Sequence, residues 1–117
     1  MSDLSPREAL FLERLRLELP VDWLGLWVVV LIARSALGPI GDRELRQSVL
    51  KGIGQLLDLD EIELGFPTRD GRFVPWTNAP EDALARIEGE WEALGRDPNI
   101  GEIVWLNKLD AAPLQSP

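Results

Sequence analysis

Residues 23–37 read WLGLWVVVLIARSAL, and this stretch decides how the rest of the chain must fold. As far as Ala33 it carries no charge and nothing more polar than a glycine. A segment that is apolar on every side is either a buried helix or a membrane span. Asp22 and Arg34 bracket about a dozen residues, whereas a membrane span needs roughly 20. The stretch therefore predicts a buried central helix, with Asp22 as its N-cap and Gly38 just past its end.

Composition narrows the class of protein. The chain has 117 residues, enough for one globular domain, and it contains no cysteine and no histidine. The commonest metal ligands, the usual near-neutral general base and every Ser-His or Cys-His nucleophile pair are therefore absent. Carboxylates are plentiful, but no spacing singles out a pair, and the acids of 58–63 do not match an EF-hand loop. We expect a protein that is not an enzyme, with no catalytic residue, metal site or cofactor.

Charge is the second feature that bears on function. The formal net charge is −8, and residues 81–117 hold eight acidic residues against three basic ones. A negative surface repels phosphate backbones and membrane surfaces, and it favours basic partners and solubility. The N-terminal residues include acids and show no apolar run before a cleavage site. We expect a cytoplasmic protein that does not enter a membrane.

The first helix has a strong start signal. Ser5 as N-cap, Pro6 in the first helical position and Glu8 three residues after the cap form the pattern of a capping box. Most of the apolar residues that follow fall on one helical face. Leu10 and Leu17 lie nearly opposite, so they predict a second ridge. That ridge would be covered by a loose contact within the chain, by a partner or by a second copy of the chain.

The middle of the chain changes from helix to strand. Asp42 predicts the cap of a third helix, whose apolar residues stay in phase across Gly52 and Gly54. Residues 61–76 then alternate in polarity around an Asp-Gly turn, which predicts a β-hairpin. Pro75 cannot donate a hydrogen bond to a neighbouring strand, so the return strand is expected at an edge of the sheet.

The last third predicts one more helix and one more strand. Asn78 caps a helix that Gly95 closes, and residues 103–106 are apolar on both sides, as in a strand inside a sheet. The five tryptophans are expected to meet in one aromatic core between the sheet and the helices. Residues 1–110 would form a single globular domain, and 111–117 a disordered tail.

Three N-terminal helices around a buried central one, then a hairpin, a helix and a third strand, make the predicted fold class α+β. The order of the first four elements resembles winged-helix domains, with 22–36 and 42–57 in the place of the helix-turn-helix pair and 61–76 as the wing. The last helix and strand would be a C-terminal extension. The resemblance implies a DNA-binding regulator or adaptor. Its contacts to nucleic acid would come from Arg43, Arg46, Gln47, Lys51, Arg69 and Arg72.

The net charge has the wrong sign for phosphate binding, which favours another function. We expect a small acidic protein-binding module. It is similar in size, acidity and lack of catalytic groups to immunity proteins of the antitoxin type, which inhibit basic enzymes. Its partner would be a basic protein, with Trp76 as an aromatic anchor. A homodimer through Leu10 and Leu17 is the additional possibility. The predicted partner surface consists of Asp58, Asp60, Glu61, Glu63, Trp76, Glu81, Asp82, Glu88 and Glu92.

Overall fold

The structure is a computed structural model that describes residues 4–109. Four helices and a four-stranded antiparallel sheet confirm the predicted α+β class. The predicted tail, 111–117, lies outside the described residues. In chain order the elements are α1 (Pro6–Glu18), β1 (Leu24–Gly25), α2 (Leu26–Leu37), α3 (Asp42–Asp58), β2 (Ile62–Pro67), β3 (Phe73–Pro75), α4 (Pro80–Leu94) and β4 (Trp105–Lys108).

The first helix begins as its sequence predicts. The Ser5 hydroxyl accepts a hydrogen bond from the Glu8 backbone N–H at 3.1 Å, and the Glu8 carboxylate accepts one from the Ser5 N–H at 3.0 Å. Two N–H groups at the helix start that would otherwise lack partners are thereby satisfied. The capping box is confirmed.

The apolar central stretch does not begin as a helix, so that prediction is wrong at its start. Leu24 and Gly25 form a short strand paired with β4, and the helix starts at Leu26, with Gly25 as its N-cap. Asp22 is not the cap, and its carboxylate accepts a hydrogen bond from the Trp23 N–H at 2.7 Å. Pairing with a strand from the other end of the chain overrides the local helix signal.

Burial of α2 is also one-sided, which corrects the expectation of a helix enclosed on every side. Leu26, Val29 and Ala33 are fully buried where α2 packs against α1, α3 and β1. Leu31 lies on the opposite side and is exposed. In an all-apolar sequence, the residues of the buried face therefore cannot be told from those of the exposed face.

The third helix continues through both of its glycines, as predicted. A β-carbon on Gly52 would lie 2.8 Å from the Phe11 ring, and one on Gly54 would lie 3.1 Å from the Leu84 side chain. The glycines therefore let α1 and α4 approach α3 closely, which outweighs their cost of about 1 kcal/mol each relative to alanine. The helix cap is Gly41, with Asp42 as the first helical residue, so the cap prediction was off by one.

The sheet has the order β1-β4-β2-β3, and every pairing is antiparallel. The hairpin and its turn are confirmed, with Gly71 at a φ of 86°. Strand β3, which ends at Pro75, lies at an edge, and β4 lies inside the sheet, both as predicted. β4 begins at Trp105, later than predicted, after Ile103 at a φ of 71°. The last strand is thus the link between β1 and the hairpin and not an appended extension.

The fourth helix ends at Gly95, which has a φ of 69°, as predicted. Its N-cap is Ala79, so the assignment of Asn78 to that position is wrong. The Asn78 side-chain oxygen instead accepts a hydrogen bond from Arg86 at 3.4 Å. None of the helices within residues 4–109 is long and apolar enough to cross a membrane.

The tryptophans do not form the single aromatic core that the sequence predicts. Trp91 is the one buried deeply, with 2% of its surface exposed. Trp27 contacts Trp105 edge to face at 4.9 Å between ring centroids, and Trp23 contacts Phe73 at 5.5 Å. Trp76 lies apart from both pairs, beneath the guanidinium group of Arg86. The aromatic residues are therefore distributed over several separate contacts.

Candidate functional site

An acidic groove lies between α3 and α4, and Glu8 at the start of α1 also lines it. Its volume is about 780 Å³. Leu50 and Leu84 provide apolar surface in this groove. Its polar walls carry four carboxylates and one ammonium group. These belong to Glu8, Glu44, Glu81, Glu88 and Lys51.

Helical spacing explains why the acids converge. Glu81 and Glu88 are two turns apart on α4, with Leu84 on the same side between them. Glu44 occupies the first turn of α3, where a negative charge is stabilised by the helix dipole. The two helices pack side by side because Gly54 offers no side chain at their contact with Leu84. The groove is therefore a product of helix packing and not of a single motif.

Glu8 ties the groove to the first helix. Its carboxylate accepts hydrogen bonds from the Ser48 hydroxyl at 2.7 Å and from Lys51 at 3.2 Å, besides the one from the Ser5 N–H. Burial opposes the charged form, but these hydrogen bonds outweigh it and lower the pKa of Glu8 below its ordinary value. The ammonium group in the groove is thus already paired with a carboxylate. Within the described chain, Glu44 and Glu81 make no ion pair, so their charge faces the groove uncompensated.

The lowered pKa of Glu8 gives a testable pH dependence. Its stabilising contribution is present above the ordinary pKa of 4.5 and is lost as the pH falls through the lowered value in the folded protein. We expect Glu8→Gln to lower the free energy of unfolding by about 1 kcal/mol at pH 7. The difference from the wild type should shrink steadily below pH 4.5, as measured by urea denaturation.

Glu13→Gln provides the matched control, since Glu13 is an exposed carboxylate on the same helix. It should leave the stability nearly unchanged at every pH. A Glu8→Gln deficit that stays constant down to pH 3 would contradict the role given to the ionised carboxylate.

A second, smaller cavity of about 150 Å³ lies beside the start of α4 and includes Asp60, Glu63 and Trp76. Trp76 is half-buried and packs against the core, and the Arg86 guanidinium carbon lies 3.7 Å from its ring centroid. One face of this tryptophan is therefore already covered by a cation. Trp76 contributes to the core and to the cavity wall together.

The remaining acids of the predicted surface differ in their surroundings. Glu61 accepts two hydrogen bonds from Arg16, at 2.8 and 2.9 Å, and Glu63 accepts one from the Asn107 side chain at 2.7 Å. These two carboxylates are engaged within the molecule. Asp58, Asp82 and Glu92 are exposed but line neither cavity. The predicted surface is thus not one site: Glu81 and Glu88 line the acidic groove, Asp60, Glu63 and Trp76 line the smaller cavity, and the other four residues line neither.

The residues predicted to contact nucleic acid do not form one continuous basic surface. Gln47 donates to Glu88 at 3.0 Å, Lys51 to Glu8, and Arg72 to Asp70 at 2.9 Å. Arg46 is half-buried beside Trp91 in a cavity that also holds Asp42 and Asp97, while Arg43 and Arg69 are exposed. Carboxylates therefore stand next to most of the predicted phosphate contacts.

Metal binding and known relatives offer no further assignment. Within residues 4–109, no three carboxylates lie close enough together to hold a metal ion. Comparison with models of protein families, with curated proteins and with solved structures finds no match to this chain.

Proposed function

We propose that this chain is a small, non-catalytic protein-binding module and that the acidic groove docks a basic partner protein. The observation that carries the proposal is the combination of four carboxylates with apolar surface from Leu50 and Leu84 in one concave site. Charge complementarity speeds the encounter and selects the partner, whereas desolvated apolar contacts slow dissociation.

The groove suits lysine and arginine side chains of the partner. Both side chains carry a long aliphatic stem and a charged head group. The stem would lie on Leu50 and Leu84 while the head group reaches Glu44 or Glu81. Arg86 makes a related contact within the molecule, where its guanidinium group covers the Trp76 ring and donates to Glu90 at 3.0 Å.

Inhibition is the biological role that follows for such a module. A basic surface on an enzyme usually serves an anionic substrate, and an acidic protein seated on it excludes that substrate. Such an inhibitor would act in the same way as immunity proteins of the antitoxin type. Adding the purified chain should abolish the activity of its partner at a one-to-one ratio.

Reversing one charge in the groove tests the proposal. We expect Glu81→Lys to weaken the partner complex at least about tenfold, because it replaces an attractive charge by a repulsive one beside the apolar surface. The matched control is Glu13→Lys, which makes the same change in net charge on an exposed position of α1. Partners retained by the immobilised wild type are identified by mass spectrometry, and their affinities for the three proteins are compared by surface plasmon resonance.

Equal affinities for the wild type and both variants would refute docking in the groove. Binding of duplex DNA that weakens with salt and disappears on Arg46→Glu would point instead to the alternative, a nucleic-acid regulator. The two functions are thus distinguished by which substitution, Glu81→Lys or Arg46→Glu, abolishes which kind of binding.

A further inference from the structure

Helices α1 and α2 leave an apolar groove between them that is open to solvent. Its volume is about 490 Å³. Leu17 and Leu31 are 70% and 62% exposed, and the half-buried Val28 and Ile32 complete the apolar surface. Single exposed apolar residues are ordinary, whereas exposed apolar residues that lie side by side are a common feature of interaction surfaces.

The groove carries one basic and one acidic side chain, so its charges are complementary to those of an identical groove on a second copy. Arg14 and Glu18 both line it, one on each side of Leu17 in sequence. Arg14 donates to the neutral Ser35 hydroxyl at 2.9 Å, and Glu18 has no ion pair within residues 4–109. In a contact with twofold symmetry across this groove, Arg14 of one copy would pair with Glu18 of the other, and the symmetry would repeat that pairing.

The net charge of residues 4–37 also favours contact with a second copy of the chain. Residues 4–37 contain four arginines and four acids, so the helices that form this groove add nothing to the net charge of −8. Two copies that approached through the acidic residues of α4 would bring like charges together. Through α1 and α2 they meet without that repulsion.

We infer that a second copy of the chain covers this groove and that the protein forms a twofold symmetric dimer through α1 and α2. Leu17 belongs to the ridge predicted from the sequence, and Leu10, which is 40% exposed, extends it along α1. Leu31 and Val28 on α2 form the other half of the interface. The inference does not depend on the acidic groove, because the two grooves share no lining residue.

Sedimentation equilibrium over a range of protein concentrations tests the inference on the full chain. The wild type should show a reversible monomer–dimer equilibrium, and Leu31→Glu should raise the dissociation constant of the dimer at least about tenfold. Val74→Glu introduces the same charge at an exposed apolar residue of β3 and should leave the dissociation constant within about twofold. Thermal melting verifies that both variants are folded.

A charge swap supplies the more specific test. Arg14→Glu alone should weaken the dimer, because it faces Glu18 of the other copy, and Arg14→Glu combined with Glu18→Arg should restore it. A wild type that remains monomeric at every concentration would overturn the inference. So would a dimer that Leu31→Glu and Val74→Glu weaken equally, or one that the charge swap does not restore.

Discussion

Gly65→Ala is expected to lower the free energy of unfolding by about 3 kcal/mol, because a side chain at this position has no room in the sheet. Gly65 pairs with Pro75 on one side and with Trp105 on the other. A β-carbon on Gly65 would lie 2.2 Å from the Val74 carbonyl oxygen and 2.7 Å from the Pro75 α-carbon. These are backbone atoms, so the clash is relieved only by moving β3 away from β2.

Thermal unfolding followed by circular dichroism measures this effect, and the melting temperature should fall by roughly 10 °C or more. Gly89→Ala is the control, since a β-carbon on this exposed glycine of α4 meets nothing within 4 Å. It should raise stability by up to about 1 kcal/mol, the difference in helix propensity between the two residues. A Gly65→Ala variant that melts within two degrees of the wild type would contradict the close packing of the hairpin.

Trp91→Ala is expected to cost about 4 kcal/mol, the largest loss from any single side chain of α4. The Trp91 side chain is almost completely buried, and its removal leaves a cavity that the surrounding helices fill only in part. The free energy of unfolding of natural domains is about 5–15 kcal/mol, so this one substitution would remove a large part of it. Urea denaturation is the measurement.

Trp76→Ala is the matched comparison, because it removes a tryptophan that is less buried than Trp91. Trp76 is half-buried, and its loss removes the contact with Arg86 together with part of its packing against the core. We expect a cost of about 2 kcal/mol. Equal losses at the two tryptophans would mean that burial does not rank them, contrary to the structure.

Two helix boundaries that depend on neighbouring residues were predicted correctly from the sequence. The capping box of Ser5 and Glu8 and the closing glycine at Gly95 depend only on residues within one turn of each other. Asp22 failed as a cap because β1 pairs with β4, a contact between residues far apart in sequence. Local propensity cannot anticipate such a contact, since the energy that favours it comes from tertiary structure.

The residues of the acidic groove could likewise be predicted only in part. Glu81 and Glu88 were predicted from the acidic face of one helix. Glu8 and Glu44 were missed because their approach to α4 depends on how three helices pack. A signal for that packing was present in Gly52 and Gly54, two glycines inside an otherwise regular helix. Glycines of this kind mark positions where another element comes close to a helix.

The two edge strands of the sheet restrict how another polypeptide can bind to this protein. Strand β1 has two residues and β3 has three, of which the last is Pro75 without an amide hydrogen. Both strands are outermost in the sheet, and such short, interrupted borders offer an incoming chain almost no main-chain groups to pair with. Strand addition is therefore disfavoured at both edges, so a binder engineered against this protein should present a helical surface in preference to an extended peptide.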